Sequence, residues 1–399
     1  MQYRIDAKSG NKLSALGFGC MRFPRRGIGI DLDKSEKLVM EAIEKGVNYF
    51  DTAYVYGGSE AALGEILHRN NAREKIRLAT KLPHRQCTQY EDFDRVFNEQ
   101  LKRLKTDYID YYLIHNISDM DAWRPLLDIG IDKWIEQKKA SAQIRYIGFS
   151  FHGIQSGFME LLEAYPWEFC QIQYNYMDET NQAGRAGLRK AHEKGLPVII
   201  MEPLLGGKLA AGLPKKAEAL FSGANAAMSP AAWALKWLWD QAEVTVVLSG
   251  MNAPGQLADN IKAADAFTVG SMSDNEKETL EKVKAVFRES YKVPCTGCNY
   301  CMPCPNRVSI PGCFNAYNMS YASGFVTGLT QYISATNALN PKGTMCVSNC
   351  VKCGLCEEKC PQHIKIASEL AMVKKRLEPF WVKAILKIVS RVMGQGRKT

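Results

Sequence analysis

The chain has 399 residues, 46% of them hydrophobic and 23% charged, the composition of an ordinary globular protein with room for one large domain and a smaller one. Its net charge of +9 is concentrated at one end: eight Lys or Arg between Lys374 and Lys398 stand against Glu378 alone, which leaves the body nearly neutral. No basic groove interleaved with aromatics is visible, which excludes a nucleic-acid-binding body. No run of about 18 apolar residues appears. The opening MQYRIDAKSG lacks the basic-then-apolar pattern of an export signal. A cytoplasmic protein is therefore expected, and thirteen cysteines in such a chain argue against a disulfide framework.

To about residue 265, short apolar runs alternate with amphipathic helical stretches. The runs are LSALGFG (13–19), VNYFD (47–51), IRLATK (76–81), YIDYYLIH (108–115), IRYIGFS (144–150), EFCQIQY (168–174), PVIIME (197–202) and VTVVLSG (244–250). Between them lie DKSEKLVMEAIEKG, EDFDRVFNEQLKRLK and GRAGLRKAHEKG, the first and last closing on Gly as helices commonly do. Eight β/α units with near-continuous apolar strands predict an α/β protein built on a closed (β/α)8 TIM barrel. A doubly wound open sheet is the alternative, but no G-x-G-x-x-G follows the first strand. The expected division is a barrel over 1–270, a linking helix over 271–291, a cysteine-rich, mainly helical domain over 292–375, and a basic amphipathic helix over 376–399.

Active sites of such barrels lie at the C-terminal ends of the strands. There the sequence places Asp51 after the second run, Lys81 at the end of the third and His115 at the end of the fourth, with Tyr56 in the loop after Asp51. Singly, each has a plain explanation: a cap, a packing aromatic, a solvated strand end, a satisfied histidine. Jointly they suit proton delivery to a carbonyl oxygen. A phenol gives up its proton reluctantly at neutral pH, and an adjacent ammonium oriented by a carboxylate eases that loss, while an imidazole steers the substrate oxygen. His152 and Asn175 also point to the rim, with core roles equally open. Cys20, Cys87 and Cys170 read as packing thiols.

Beyond the linking helix come two tight cysteine runs. The first is Cys295, Cys298, Cys301 and Cys304, followed by Pro305; the second is Cys350, Cys353, Cys356 and Cys360, followed by Pro361. C-x2-C-x2-C closed by Cys-Pro is the spacing that wraps a 4Fe–4S cubane, and it is dense for zinc. Two 4Fe–4S clusters are expected, with zinc or disulfides as the alternatives, and clusters of this kind point to an anaerobic or microaerobic prokaryotic setting. In two-cluster ferredoxins the fourth cysteine of each run ligates the other cluster. By that logic one set is Cys295, Cys298, Cys301 and Cys360, and the other is Cys350, Cys353, Cys356 and Cys304. The first run departs from the pattern, with two residues rather than three before its Cys-Pro. Cys313 and Cys346 fall outside both runs and are not expected to ligate. In the final stretch PFWVKAILKIVSRVM, Trp381, Ile385, Ile388, Val389 and Val392 share one helical stripe. That stripe fits docking on its own domain, a homodimer contact, or peripheral attachment to an anionic membrane.

The segments NYFDTAYVYGGSEAALG, ATKLP, YYLIHN and IRYIGFSFH resemble the aldo/keto reductase superfamily. With CTGCNYCMPCP and CVKCGLCEEKCPQHI, the chain is most similar to the branch carrying a C-terminal ferredoxin-like domain. The resemblance implies an oxidoreductase acting on a small carbonyl substrate, the tetrad Asp51, Tyr56, Lys81 and His115, and NADP or NAD held without a Rossmann fold. It further implies that Ser150 and Gln171 bond the nicotinamide carboxamide and that Gly19 and Met21 approach the cofactor. Met201 takes the place where relatives often stack an aromatic. Ser249, Gly250, Asn252, Gln256 and Asn260 fall on the loop and helix start that clasp the adenosine half. Gly250 and Gln256 stand where many NADPH-selective relatives carry Lys and Arg, so NADH and NADPH both remain open. For the clusters, three readings stand: exchange with a ferredoxin-like or flavoprotein partner, a structural or regulatory role, or a redox-sensing relay whose barrel turns over little.

Overall fold

The computed structural model describes residues 1–338 and 344–382. Eight parallel strands close into a barrel: β1 (Leu16–Gly19), β2 (Tyr49–Asp51), β3 (Arg77–Leu82), β4 (Ile109–Ile117), β5 (Ile144–Phe151), β6 (Phe169–Gln173), β7 (Val198–Met201) and β8 (Val246–Ser249). Each pairs with the next in sequence, and β8 closes on β1. Helices lie between the strands, so this is the (β/α)8 barrel expected from the alternating runs.

The inward row of each strand has period two, and that parity fixes where the chemistry falls. Tyr49, Ala79, Leu113, Phe169, Ile199, Val246 and Leu248 pack together as the hydrocarbon floor. Two residues further along four of those strands come Asp51, Lys81, His115 and Gln171, one layer nearer the C-terminal mouth. The floor is full. A Cβ on Gly17 would lie 2.7 Å from Leu248 Cδ2, and one on Gly148 would lie 2.5 Å from the Phe169 carbonyl oxygen. Glycine at these two inward positions makes room for the large floor residues.

The opposite mouth is closed by an antiparallel hairpin, Tyr3–Ile5 with Lys12–Ser14. It is tied to the barrel by the Tyr111 hydroxyl, which donates to Asp6 Oδ2 at 2.7 Å and accepts from Asn11 Nδ2 at 3.1 Å.

The chain divides into two compact units. One comprises 1–204 and 231–273; the other joins 205–230 to the segment beginning at Asp274. The second unit is helical, with helices at Asp274–Ser290, Ile310–Ala322, Phe325–Thr336 and Ile366–Leu377. Its core is built from Val308, Ile310, Phe314, Tyr332, Val347, Ile366, Leu370 and Val373, and Cys295, Cys301, Cys304, Cys350, Cys356 and Cys360 pack against it. Segment 205–230, which follows β7 in sequence, contributes the helix Lys215–Asn225 to this unit. The amphipathic stripe of the C-terminal stretch lies outside the described residues from 383 onward.

Candidate active site and cysteine centres

Strand register brings the four rim residues together. Gly19 pairs with Asp51, and Lys81 pairs with Leu113, two residues before His115. The Lys81 ammonium is 1% exposed on its side chain and lies 2.5 Å from Asp51 Oδ1, with a further bond to the Thr52 carbonyl at 2.8 Å. A buried ion pair is retained only when its hydrogen-bonding capacity is met, and here Gln171 Nε2 donates to the other Asp51 oxygen at 2.9 Å. Lys81 Nζ lies 5.2 Å from the centre of the Tyr56 ring. That ring meets the His115 imidazole edge-on, centroids 5.9 Å apart and planes at 87°. Carboxylate, ammonium, phenol and imidazole thus form one contiguous cluster at the mouth.

His115 keeps the inward parity of Leu113, and the strand becomes irregular around it. The β4–β5 register shifts between Ile114 and Ile117, where Asn116 adopts a left-handed φ of 56°. The displaced Asn116 N–H donates to Ser150 Oγ at 2.8 Å, and the His115 carbonyl bonds His84 Nδ1 at 2.7 Å. Burial, then the neighbouring charges of Lys81, His152 and His84, holds the His115 imidazole well below its usual range. It is therefore neutral at pH 7 and able to donate one hydrogen bond without competing with the lysine as the site's cation.

Behind Lys81 lies a support that sequence reading missed. Gln100 Nε2 donates to the Lys81 carbonyl at 3.1 Å and to Glu60 Oε1 at 2.8 Å, Glu60 also accepts from Thr80 Oγ1, and the Tyr112 hydroxyl donates to Gln100 Oε1. These partners lie on helices and strands far apart in the chain, so no local pattern marks them. His152 and Asn175 belong to another buried polar chain. His152 Nδ1 contacts Gln182 Oε1, Gln182 donates to Gln173, Gln173 donates to Asp178, and Asn175 donates to the Glu202 carbonyl.

Of the residues assigned by resemblance to nicotinamide, Ser150 and Gln171 stand side by side in register across β5 and β6. Met201 follows at the end of β7, opposite Gln173. Gly19 approaches Ser249 closely enough that a Cβ would lie 3.4 Å from its carbonyl oxygen. Past β8, Asn260 Nδ2 donates to Ser249 Oγ at 2.8 Å, and Gln256 Oε1 accepts from the Asn252 N–H at 2.9 Å at the start of helix Pro254–Ala266. Met21 is partly exposed in the loop after β1. The next residue supplies something the sequence did not reveal: a Cβ on Gly250 would lie 3.5 Å from the Arg22 side chain. The aliphatic stem of an arginine from the first loop thus lies beside Gly250.

The cysteines form two quartets. One cavity is lined by Cys295, Cys298, Cys301 and Cys360, the other by Cys304, Cys350, Cys353 and Cys356, and Ile310 is a wall of both. Among the described residues, no three His, Cys, Asp or Glu side chains close on a single point as ligands of one metal ion do. Left-handed residues shape each loop, Gly297 and Asn299 in the first and Lys352 and Gly354 in the second. Such turns aim backbone N–H groups into the concavity. Burial and the neighbouring Cys295, Cys298 and Cys360 push the Cys301 thiol up to about 12, so a full set of thiolates in this cavity calls for a cationic group at its centre. The donor set fits iron–sulfur ligation. Neither Cys313 nor Cys346 lines either cavity. Cys20, Cys87 and Cys170 are buried, and burial pushes their thiols up, Cys87 to about 11.

Residues 15–283 match the aldo/keto reductase family, and residues 294–364 match the 4Fe-4S dicluster domain. The chain belongs to the aldo/keto reductase family and is an oxidoreductase with an added iron–sulfur domain. Among its relatives, an uncharacterized oxidoreductase YqkF of Bacillus subtilis is 28% identical over 72% of this chain and 95% of its own length. The L-galactose dehydrogenase of Arabidopsis thaliana is 27% identical over 72% of this chain and 94% of its own. Among solved structures, the holo form of aldo-keto reductase AKR11C1 from Bacillus halodurans superposes with a TM-score of 0.59 at 25% identity, covering 71% of this chain and 96% of that one. Among the described residues no helix is long and apolar enough to cross a membrane.

Proposed function

We propose that the chain reduces a small aldehyde or ketone with NADPH or NADH, Tyr56 being the proton donor. One observation carries this reading: an ammonium held by Asp51 at 2.5 Å sits 5.2 Å from a phenol ring that meets a neutral imidazole edge-on. The bound nicotinamide supplies hydride to the carbonyl carbon. Tyr56 gives its proton to the carbonyl oxygen, and the Lys81 charge stabilises the phenolate left behind. Asp51, oriented by Gln171, keeps that ammonium in place. His115, neutral, donates to the substrate oxygen and draws it toward the phenol. For the dinucleotide, the side-by-side Ser150 and Gln171, the close approach of Gly19 and the Arg22 side chain beside Gly250 support the reading. Arg22 favours a phosphorylated adenosine half.

The test is a panel of aldehydes, ketones and quinones offered to the parent and to Tyr56→Phe. Parent turnover no faster than the variant's on every compound refutes the reading.

The two quartets are proposed to hold two 4Fe–4S clusters that exchange electrons with a ferredoxin-like or flavoprotein partner. Mixing cluster-reduced protein with an oxidised ferredoxin or flavodoxin-type acceptor separates this from a structural role. Stoichiometric reduction of the acceptor as the clusters reoxidise supports exchange, and none supports structure.

A further inference from the structure

Two polar groups meet at the Cys295–Thr296 turn, beside the cavity of Cys295, Cys298, Cys301 and Cys360, without belonging to the thiol set. Thr296 lines that cavity and is 3% exposed. Its hydroxyl oxygen is buried and has no hydrogen-bond partner in the structure. A buried hydroxyl left unsatisfied is a destabilising choice that valine of the same shape would avoid, so the hydroxyl calls for an acceptor inside the cavity. The second group is Lys208, from the loop after β7, whose ammonium donates to the Cys295 carbonyl and lies 5.5 Å from the Tyr291 ring centre. Gly206 permits this approach: its φ is +70°, and a Cβ there would lie 2.1 Å from the Thr296 carbonyl oxygen. The loop therefore lies flat on the Cys295–Thr296 turn.

We propose that Thr296 and Lys208 are positioning residues that raise the reduction potential of the cluster held by Cys295, Cys298, Cys301 and Cys360. This rests on the iron–sulfur reading and is independent of the carbonyl chemistry. One-electron reduction places negative charge on the cluster sulfurs, with no atom transferred. A hydroxyl donating to one of those sulfurs, and a cation on the carbonyl of a ligand residue, both stabilise the reduced form. Of the two cavities Thr296 lines only the first, and Lys208 bonds the carbonyl of a cysteine of that quartet, so the effect falls on one of the two clusters.

The experiment is an anaerobic titration of the reconstituted full-length protein with dithionite, followed by electron paramagnetic resonance. Thr296→Val and Lys208→Gln should each lower the midpoint of one cluster and leave the other in place, while Thr296→Ser keeps the parent value. A proton coupling to the reduced cluster that exchanges in D2O should vanish in Thr296→Val and persist in Thr296→Ser. Unchanged midpoints in Thr296→Val and Lys208→Gln, or equal shifts of both clusters, would overturn the proposal. Should Thr296→Val lose iron, Lys208→Gln decides by the same criterion. Failure of the underlying reading looks different, because the parent itself would then bind no iron and give no signal.

Discussion

The barrel and the cysteine-rich unit bury polar atoms in opposite ways. At the barrel mouth the buried polar groups around Lys81 are answered by one another: Lys81 by Asp51 and Thr52, Asp51 by Gln171, Ser150 by the Asn116 N–H. The cysteine-rich unit instead arranges four soft donors around each of two cavities, with a Thr296 hydroxyl unsatisfied at one of them. The first arrangement is complete as protein; the second is complete only with a group between the donors. A site built from mutual hydrogen bonds is preorganised by folding, whereas a site built from converging thiols contributes its free energy when it is loaded.

The sharpest way to break this contrast is to remove iron. An anaerobic chelator should abolish the cooperative unfolding of the cysteine-rich unit and leave a second, barrel transition near its original midpoint, as read by calorimetry. A single loss of both transitions would mean that the barrel too depends on the clusters. Next in size, Tyr56→Phe should lower kcat by roughly 10²–10⁴-fold with the fold intact, measured by steady-state kinetics and circular dichroism. Asp51→Asn leaves the buried Lys81 ammonium without its counter-charge and should cost about 3–5 kcal/mol in denaturant unfolding of the barrel. Arg22→Ala should raise KM for NADPH by about tenfold while KM for NADH hardly moves, since only the former carries the extra phosphate.

Smallest is a pH effect. His115 and His84 are both held below their ordinary range, mainly by burial. The unfolded chain binds protons near pH 6.5 that the folded barrel refuses, so barrel stability should fall as pH drops below about 6.5. His115→Asn should flatten that slope, as read from thermal midpoints between pH 5 and 7.5.

The same contrast explains what was legible in the sequence. Barrel strands announce themselves as apolar runs, and each of the eight runs contains or overlaps an observed strand, from Leu16–Gly19 to Val246–Ser249. The cysteine spacing likewise carries its grouping, since the quartet spanning Cys295 to Cys360 lines one cavity. What stayed hidden depends on contacts between residues distant in the chain. Gln171 reaches Asp51 across 120 positions, and Arg22 meets Gly250 across a longer interval still. The affiliation of 205–230 with the cysteine-rich unit was also invisible, because its helical pattern is the one any barrel helix would show. The irregularity beside His115 contains a left-handed Asn116, a conformation asparagine tolerates but does not by itself announce.

Ile310 stands as a partition between the two cysteine cavities. With both chambers loaded, one aliphatic side chain would face two one-electron stores at once, so trimming or enlarging it would be felt in both quartets together.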